Sequence, residues 1–195
     1  MTYTVNEMFL SLQGEGLRAG TVNVFVRFTG CNQTCKVETH GFDCDTEFAS
    51  GVKMSAEDIK ERIVELGGND VAVIFTGGEP GLQVDAELIN VLGNHYLAIE
   101  TNGSIELPSG FDWITVSPKV AEHAIRQQRA DEVKYVRNVG QGIPKPTCVA
   151  DHKLISPATQ DGRLDMVSLS HCIELVKQNP TWRLSVQQHK TWMVR

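Results

Sequence analysis

The sequence predicts an α/β fold in which a parallel sheet, with helices outside it, curves into a partial, open β/α barrel. Three observations predict it. Short β-branched runs alternate with stretches of helical periodicity, the pattern of strand–helix units that pair their strands in parallel. The 195 residues fall short of the ~250 that a complete eight-fold barrel takes. Several strands also run directly into turns rich in functional groups, and the carboxyl ends of strands are where barrels and open α/β sheets bind ligands.

In chain order, Val24 to Phe28 reads as the first strong strand. Ser55 to Leu66 is a helix, with Ser55 as its N-cap, Ile59, Ile63 and Leu66 on one face, and Gly67 and Gly68 to stop it. Val71 to Phe75, Leu97 to Ile99 and Trp113 to Val116 are the next strands. They lead into Thr76-Gly77-Gly78-Glu79-Pro80, Glu100-Thr101-Asn102-Gly103 and Ser117-Pro118-Lys119. Val133 to Val136 and Lys153 to Ile155 follow. Leu169, Cys172, Ile173 and Val176 then show the spacing of a half-buried helix. A last strand, Arg183 to Val186, runs into Gln187 to Lys190. One unit over residues 1–195 is expected.

Composition narrows the function classes. Acidic residues outnumber basic ones, 24 to 18, for a net charge of -6, which argues against a nucleic-acid partner. The longest purely apolar run, Val71 to Phe75, is far below the ~20 residues of a membrane span. The first residues form neither a basic nor an apolar leader. The expectation is a soluble, cytoplasmic protein.

Cys31, Cys35 and Cys44 crowd into fourteen residues, while Cys148 and Cys172 stand alone. In a reducing compartment such a cluster suggests metal rather than a disulfide. Three thiolates can hold three irons of a [4Fe–4S] cluster and leave the fourth open. His40 lies between the cysteines, and C-x3-C-x4-H-x3-C equally suits a closed tetrahedral zinc site. Spacing leaves both open, along with unliganded thiols.

The turn Thr76 to Pro80 after a buried strand, downstream of a three-cysteine loop, resembles the radical S-adenosylmethionine superfamily. Its glycines let backbone approach a ligand ammonium without a Cβ in the way. The likeness narrows further. Asn6 to Phe9, Leu12 to Gly16, Phe25 to Phe28, Gly30 to Asn32, Cys44 to Thr46, Thr76 to Pro80, Glu100 to Gly103, Val116 to Lys119 and Trp182 to Lys190 resemble the 7-carboxy-7-deazaguanine synthase family. Two positions depart from it. Eight residues separate Cys35 from Cys44 where two are usual, displacing the aromatic neighbour to Phe42. Ser156 stands where glutamine is commoner.

The resemblance implies a partial β/α barrel of the radical S-adenosylmethionine type. It implies Cys31, Cys35 and Cys44 as cluster ligands and Thr46 as a Mg²⁺ ligand. Gly77, Gly78 and Glu79 would hold the methionine end of S-adenosylmethionine, with Ser117, Pro118, Lys119 and Ser156, Pro157, Ala158, Thr159 as further cofactor contacts. Leu12, Gln13, Gly14, Glu15, Arg27, Thr76 and His189 would bind a pterin. The guanidinium of Arg27 offers a bidentate fork for a carboxylate; as an outward strand residue it could instead make a surface ion pair. His189 reads either as a substrate contact or as a core histidine, and Thr46 either as a Mg²⁺ ligand or as a turn residue.

The activity implied is a lyase of queuosine and deazapurine biosynthesis that converts 6-carboxy-5,6,7,8-tetrahydropterin to 7-carboxy-7-deazaguanine with loss of ammonia. Hydrogen would be abstracted from C6 by an adenosyl radical. A homodimer and a flavodoxin-like electron donor go with it. Two rivals stand: another small radical enzyme such as a glycyl-radical activase, and a zinc-stabilised binding module without catalysis.

Overall fold

Eleven strands and four helices follow one another in a computed structural model that describes residues 1–36, 40, 44, 49–160 and 163–195. The order is β1 (Tyr3–Leu12), β2 (Val22–Phe28), β3 (Val52–Met54), α1 (Ala56–Gly67), β4 (Ala72–Gly77), α2 (Ala86–Val91), β5 (Leu97–Thr101) and β6 (Trp113–Val116). It continues with β7 (Arg129–Arg137), β8 (Val149–Pro157), β9 (Thr159–Gln160), β10 (Arg163–Leu164), α3 (Met166–Gln178), β11 (Arg183–Leu184) and α4 (Gln188–Trp192). Nine strands form one sheet in the order β11-β8-β7-β6-β5-β4-β2-β1-β3, and β9 and β10 make a separate hairpin.

From β2 through β4, β5, β6, β7 and β8 to β11 every pairing is parallel. Only the far edge is antiparallel, where β1 pairs with β2 and β3 with β1. The sheet is open, since β11 and β3 are its two ends. All carboxyl ends of the parallel strands therefore lie on one rim.

Period-two alternation divides the side chains of each strand between two faces. One face is apolar. Val24, Val26, Phe28, Val73, Phe75, Leu97 and Ile99 pack with Ile59 and Ile63 of α1 and Leu88 and Ile89 of α2. Val116, Val133, Tyr135 and Ile155 pack with Cys172 of α3 and Trp182. The intervening positions face the inside of the curve. Towards the rim these are Arg27, Thr76, Glu100, Ser117, Lys134 and Ser156, so the same alternation that builds the core delivers polar groups to the interior.

Helix α1 begins as its sequence indicates. Ser55 Oγ accepts from Asp58 N–H at 3.1 Å and Ser55 N–H donates to the Asp58 carboxylate at 2.8 Å, a reciprocal cap. Helix α3 differs from the expected face. Ser168 and Cys172 are buried, whereas Ile173 is 38% exposed. The helix is turned because Ser168 Oγ donates to the N-cap carboxylate of Asp165 at 2.6 Å and bonds Asn138 Oδ1 at 3.0 Å, which satisfies the hydroxyl inside the contact.

Other elements also depart from the sequence reading: β3, α2, β9 and β10 are too short to show a period there, and β1, β11 and α4 differ for reasons of their own. Strand β1 went unread because its register shifts between Val5 and Glu7, and such an irregularity breaks the alternation on which recognition depends. Only Arg183 and Leu184 of the expected Arg183–Val186 strand pair, with Leu154 and Ile155. The residues expected as a turn after it instead start α4, which closes on Met193 in the left-handed region at φ 54°. Among the described residues no helix is long and apolar enough to cross a membrane.

Candidate active site

The rim is assembled around the end of β4. Gly77 has φ +112°, and a Cβ there would lie 2.4 Å from Phe28 backbone atoms. A Cβ on Gly78 would lie 1.9 Å from the Gly30 carbonyl oxygen and 3.1 Å from Cys31 N. Gly78 N–H donates to Phe28 O at 3.0 Å and Glu79 N–H to Gly30 O at 2.9 Å. The two glycines thus seat the cysteine loop directly on the end of β4. The sequence reading gave them room for a ligand; their first physical task is backbone-to-backbone contact. Asn32 fastens the same loop to the β5 turn, with Asn32 Nδ2 donating to Ser104 Oγ at 2.8 Å and Asn102 Nδ2 to Asn32 Oδ1 at 2.9 Å.

A cavity of about 200 Å³ opens at this point. Cys31, Cys35 and Cys44 line it together with Gly77 and Gly78. Ser117, Lys119, Ser156, Pro157 and Thr159 line it as well. Lys119 Nζ donates to Ser117 Oγ at 3.2 Å. Burial pushes the Cys31 and Cys35 thiols above their ordinary range.

A second cleft of about 380 Å³ adjoins the first. It is lined by Leu12, Gln13, Gly14, Arg27, His189 and Lys190, among others, while Glu15, Thr76, Glu100 and Gln187 line both spaces. Gly14 is required here, because a Cβ on it would lie 2.3 Å from His189 Nδ1, and its carbonyl accepts from Gln188 N–H at 2.9 Å. Arg27 Nη1 donates to Glu7 at 2.9 Å, and its guanidinium lies 5.3 Å from the centroid of the Phe9 ring. Glu7 also pairs with Arg195, whose backbone oxygen accepts from Ser11 Oγ at 2.7 Å. Arg27 therefore enters the cleft already held by a carboxylate.

An ionic network forms the junction. Lys134 Nζ lies 2.6 Å from Glu15 Oε2 and 3.7 Å from Glu100 Oε2. Gln187 Nε2 donates to Glu15 Oε1 at 2.9 Å, and Gln13 Nε2 to Glu100 Oε1 at 2.6 Å. Burial opposes the charge on Glu15, but Lys134, Gln187 and His189 outweigh it and hold its carboxyl below the ordinary range. Burial likewise opposes the Lys134 ammonium, but Glu100 and Glu15 overcome it and hold the amine above its ordinary value. Both groups are ionised at neutral pH.

Most of the expected positions come together, but three do not line the cofactor cavity. Glu79 is fully buried, and its carboxylate accepts from Thr101 Oγ1 and Asn102 N–H at 2.7 Å each and from Gly81 N–H at 2.9 Å. Every donor it meets is internal, so it braces the β4 and β5 turns rather than meeting a ligand ammonium. Pro118 faces a separate space lined also by His40, and Ala158 is buried. Gln13, expected to read a substrate edge, uses both ends of its amide inside the protein, donating to Glu100 and accepting from Glu15 N–H at 3.1 Å. Thr46, Phe42 and Asp45 lie outside the described residues.

Sequence reasoning missed Lys134 as a site residue, and named Glu100, Gln187 and Lys190 only as parts of turns. Lys134 had a signal, a lone charge inside the apolar run Val133 to Val136. Buried charges are almost always partnered.

The donor set fits an iron–sulfur cluster. Three thiols line one cavity, and soft thiolates suit iron–sulfur centres. His40 faces elsewhere: Lys36 N–H donates to its Nδ1 at 3.4 Å, and its Nε2 lies 3.2 Å from Lys119 O. Among the described residues no three His, Cys, Asp or Glu side chains converge where a single metal ion could sit. In the second cleft, Gln187 Oε1 and Lys190 Nζ are buried with no hydrogen-bond partner in the protein, the condition of a polar cleft that a ligand completes.

Fold and site together define an iron–sulfur enzyme on an open β/α barrel, and comparison with known proteins agrees. Residues 12–136 match the family model of a 4Fe-4S single cluster domain. The 7-carboxy-7-deazaguanine synthase of Bacteroides thetaiotaomicron is 38% identical over the whole of both chains. That of Bradyrhizobium diazoefficiens is 37% identical, again over all of both. The crystal structure of QueE from Escherichia coli superposes with a TM-score of 0.70 at 26% identity, covering 97% of this chain and 95% of that one. The chain belongs to the 7-carboxy-7-deazaguanine synthase family of radical S-adenosylmethionine enzymes.

Proposed function

We propose that the chain converts 6-carboxy-5,6,7,8-tetrahydropterin to 7-carboxy-7-deazaguanine with release of ammonia, in queuosine and deazapurine biosynthesis. The observation that carries this reading is the junction itself. A thiol-lined cavity and a polar cleft share Glu15, Thr76, Glu100 and Gln187, in a chain that aligns end to end with named synthases.

Cys31, Cys35 and Cys44 would hold a [4Fe–4S] cluster, and Gly77 and Gly78 would receive the methionine end of S-adenosylmethionine. Ser117, Lys119, Ser156, Pro157 and Thr159 surround the rest of that cofactor. Cluster and cofactor together supply a 5′-deoxyadenosyl radical, chemistry that belongs to them rather than to the protein. The protein binds and orients. Arg27 and His189 take the substrate carboxylate, Leu12 and Gly14 offer backbone to the pterin, and Thr76 stands where cofactor and substrate meet. Gln13 acts indirectly, by holding Glu100. The Glu15 and Glu100 carboxylates accept from the N–H groups of the pyrimidinone edge, and the buried sheet interior behind them excludes water. Thr46 would hold Mg²⁺, a hard cation suited to oxygen ligands.

A homodimer, a flavodoxin-like electron donor, a cytoplasmic location and one functional unit over residues 1–195 belong to the same proposal. The test is oxygen-free reconstitution with iron and sulfide, followed by reduction with S-adenosylmethionine and the carboxypterin. Formation of 7-carboxy-7-deazaguanine, identified by mass, is expected. Cofactor cleavage with the pterin left intact would overturn it in favour of an activase.

A further inference from the structure

We propose that Lys134 is a positioning residue for the pterin, holding Glu15 and Glu100 as a fixed pair of acceptors where the two cavities meet. This rests on the function proposed above and adds to it a residue that never needs to touch the reacting atoms.

Lys134 lies midway along β7, in register with Leu154 of β8, and its side chain is 6% exposed. A charge so deep in a sheet is costly unless partnered. Its partners come from two distant segments, Glu15 from the loop after β1 and Glu100 from the end of β5. Each carboxylate is gripped twice, once by this shared ammonium and once by an amide, Gln187 on Glu15 and Gln13 on Glu100. Both line both cavities.

Two carboxylates that share one ammonium repel each other, and the ammonium between them removes the incentive for either to turn away. The trio carries one net negative charge. The pyrimidinone edge of a pterin presents a ring N–H beside an amino group, two donors that suit charged acceptors. Other titratable or charged groups near the trio are Glu132 on β7, His189 on α4, and Arg18 in the loop after β1.

The test uses reconstituted holoenzyme and two probes, the substrate and fluorescent, oxidised 6-carboxypterin, which cannot react. In K134M, affinity for the oxidised pterin falls roughly 10- to 100-fold, as for loss of charge-assisted hydrogen bonds. KM rises by more than kcat falls. K134R, which keeps the charge, recovers affinity at least in part. If K134M does not fold, E15Q/K134M removes the buried charge together with its closest partner and carries the test alone, with weakened binding expected. Unchanged affinity in K134M, or full affinity in E15Q/K134M, would overturn the proposal. Wild-type protein that neither binds nor turns over the carboxypterin would instead overturn the proposed function.

Discussion

Replacing Gly78 by alanine perturbs the site at its most crowded point. The added Cβ would sit 1.9 Å from Gly30 O, 2.5 Å from Gly30 C and 3.1 Å from Cys31 N. All three are backbone atoms, so no side chain can swing aside. The cysteine loop must lift from β4, and two hydrogen bonds lengthen, Gly78 N–H to Phe28 O and Glu79 N–H to Gly30 O. Each such bond contributes about 0.5–1.5 kcal/mol, and overpacking costs about 1–3 kcal/mol. Together these give a destabilisation of roughly 2–6 kcal/mol. For a chain of this length that is a fall in Tm of at least about 4 °C. Because the displaced segment carries Cys31, iron incorporation falls as well. Gly142→Ala is the control, since a Cβ there meets nothing within 4 Å. The assay is thermal unfolding alongside iron and sulfide analysis after oxygen-free reconstitution. A G78A protein with wild-type Tm and full iron would refute the close-packing explanation for this glycine.

Other expectations follow from the same geometry. Glu79→Gln places an amide N–H among three donors and lowers stability by about 1–3 kcal/mol, read from chemical denaturation, with little direct effect on S-adenosylmethionine affinity. His40→Ala keeps its iron and sulfide, whereas Cys35→Ser loses them; wild type that held one zinc and no sulfide, with the zinc lost from both variants, would restore the zinc reading. Arg27→Lys, unable to serve Glu7 and a substrate carboxylate at once through a planar fork, raises the pterin KM roughly 10- to 100-fold in steady-state kinetics. The Glu15 carboxyl sits below its ordinary value in the folded protein, so the native state binds fewer protons there than the unfolded chain. Its stabilisation is present above the ordinary pKa of about 4.3 and is lost as pH falls through the lower folded value. The stability gap between wild type and Glu15→Gln, largest at neutral pH, therefore closes on acidification in denaturant titrations.

The parallel strands were legible because burial on both sides makes them short apolar runs, as in Val71 to Phe75. The turns after them were legible as a site because polar groups recur at strand ends. What the sequence hid was geometry between distant segments. Glu79 reads as a ligand group in a glycine-rich turn, yet three internal donors from Gly81, Thr101 and Asn102 claim it. Lys134 shows in sequence only as a lone charge in an apolar strand; its partners, Glu15 and Glu100, far away in sequence, appear only once the fold brings them against it. The helix α4 escaped notice since five residues carry no periodicity, although its first turn sets His189 against Gly14. Local pattern marks which residues carry chemistry, and only packing decides which of them face a ligand.

The most direct measurement follows the hydrogen at C6 of the pterin. Reduced, reconstituted protein given S-adenosylmethionine and substrate deuterated at C6 is expected to yield 5′-deoxyadenosine carrying deuterium, in step with 7-carboxy-7-deazaguanine. Deaminated or unchanged pterin alongside wholly unlabelled 5′-deoxyadenosine would mean that the thiol-lined cavity and the polar cleft do not work on one substrate.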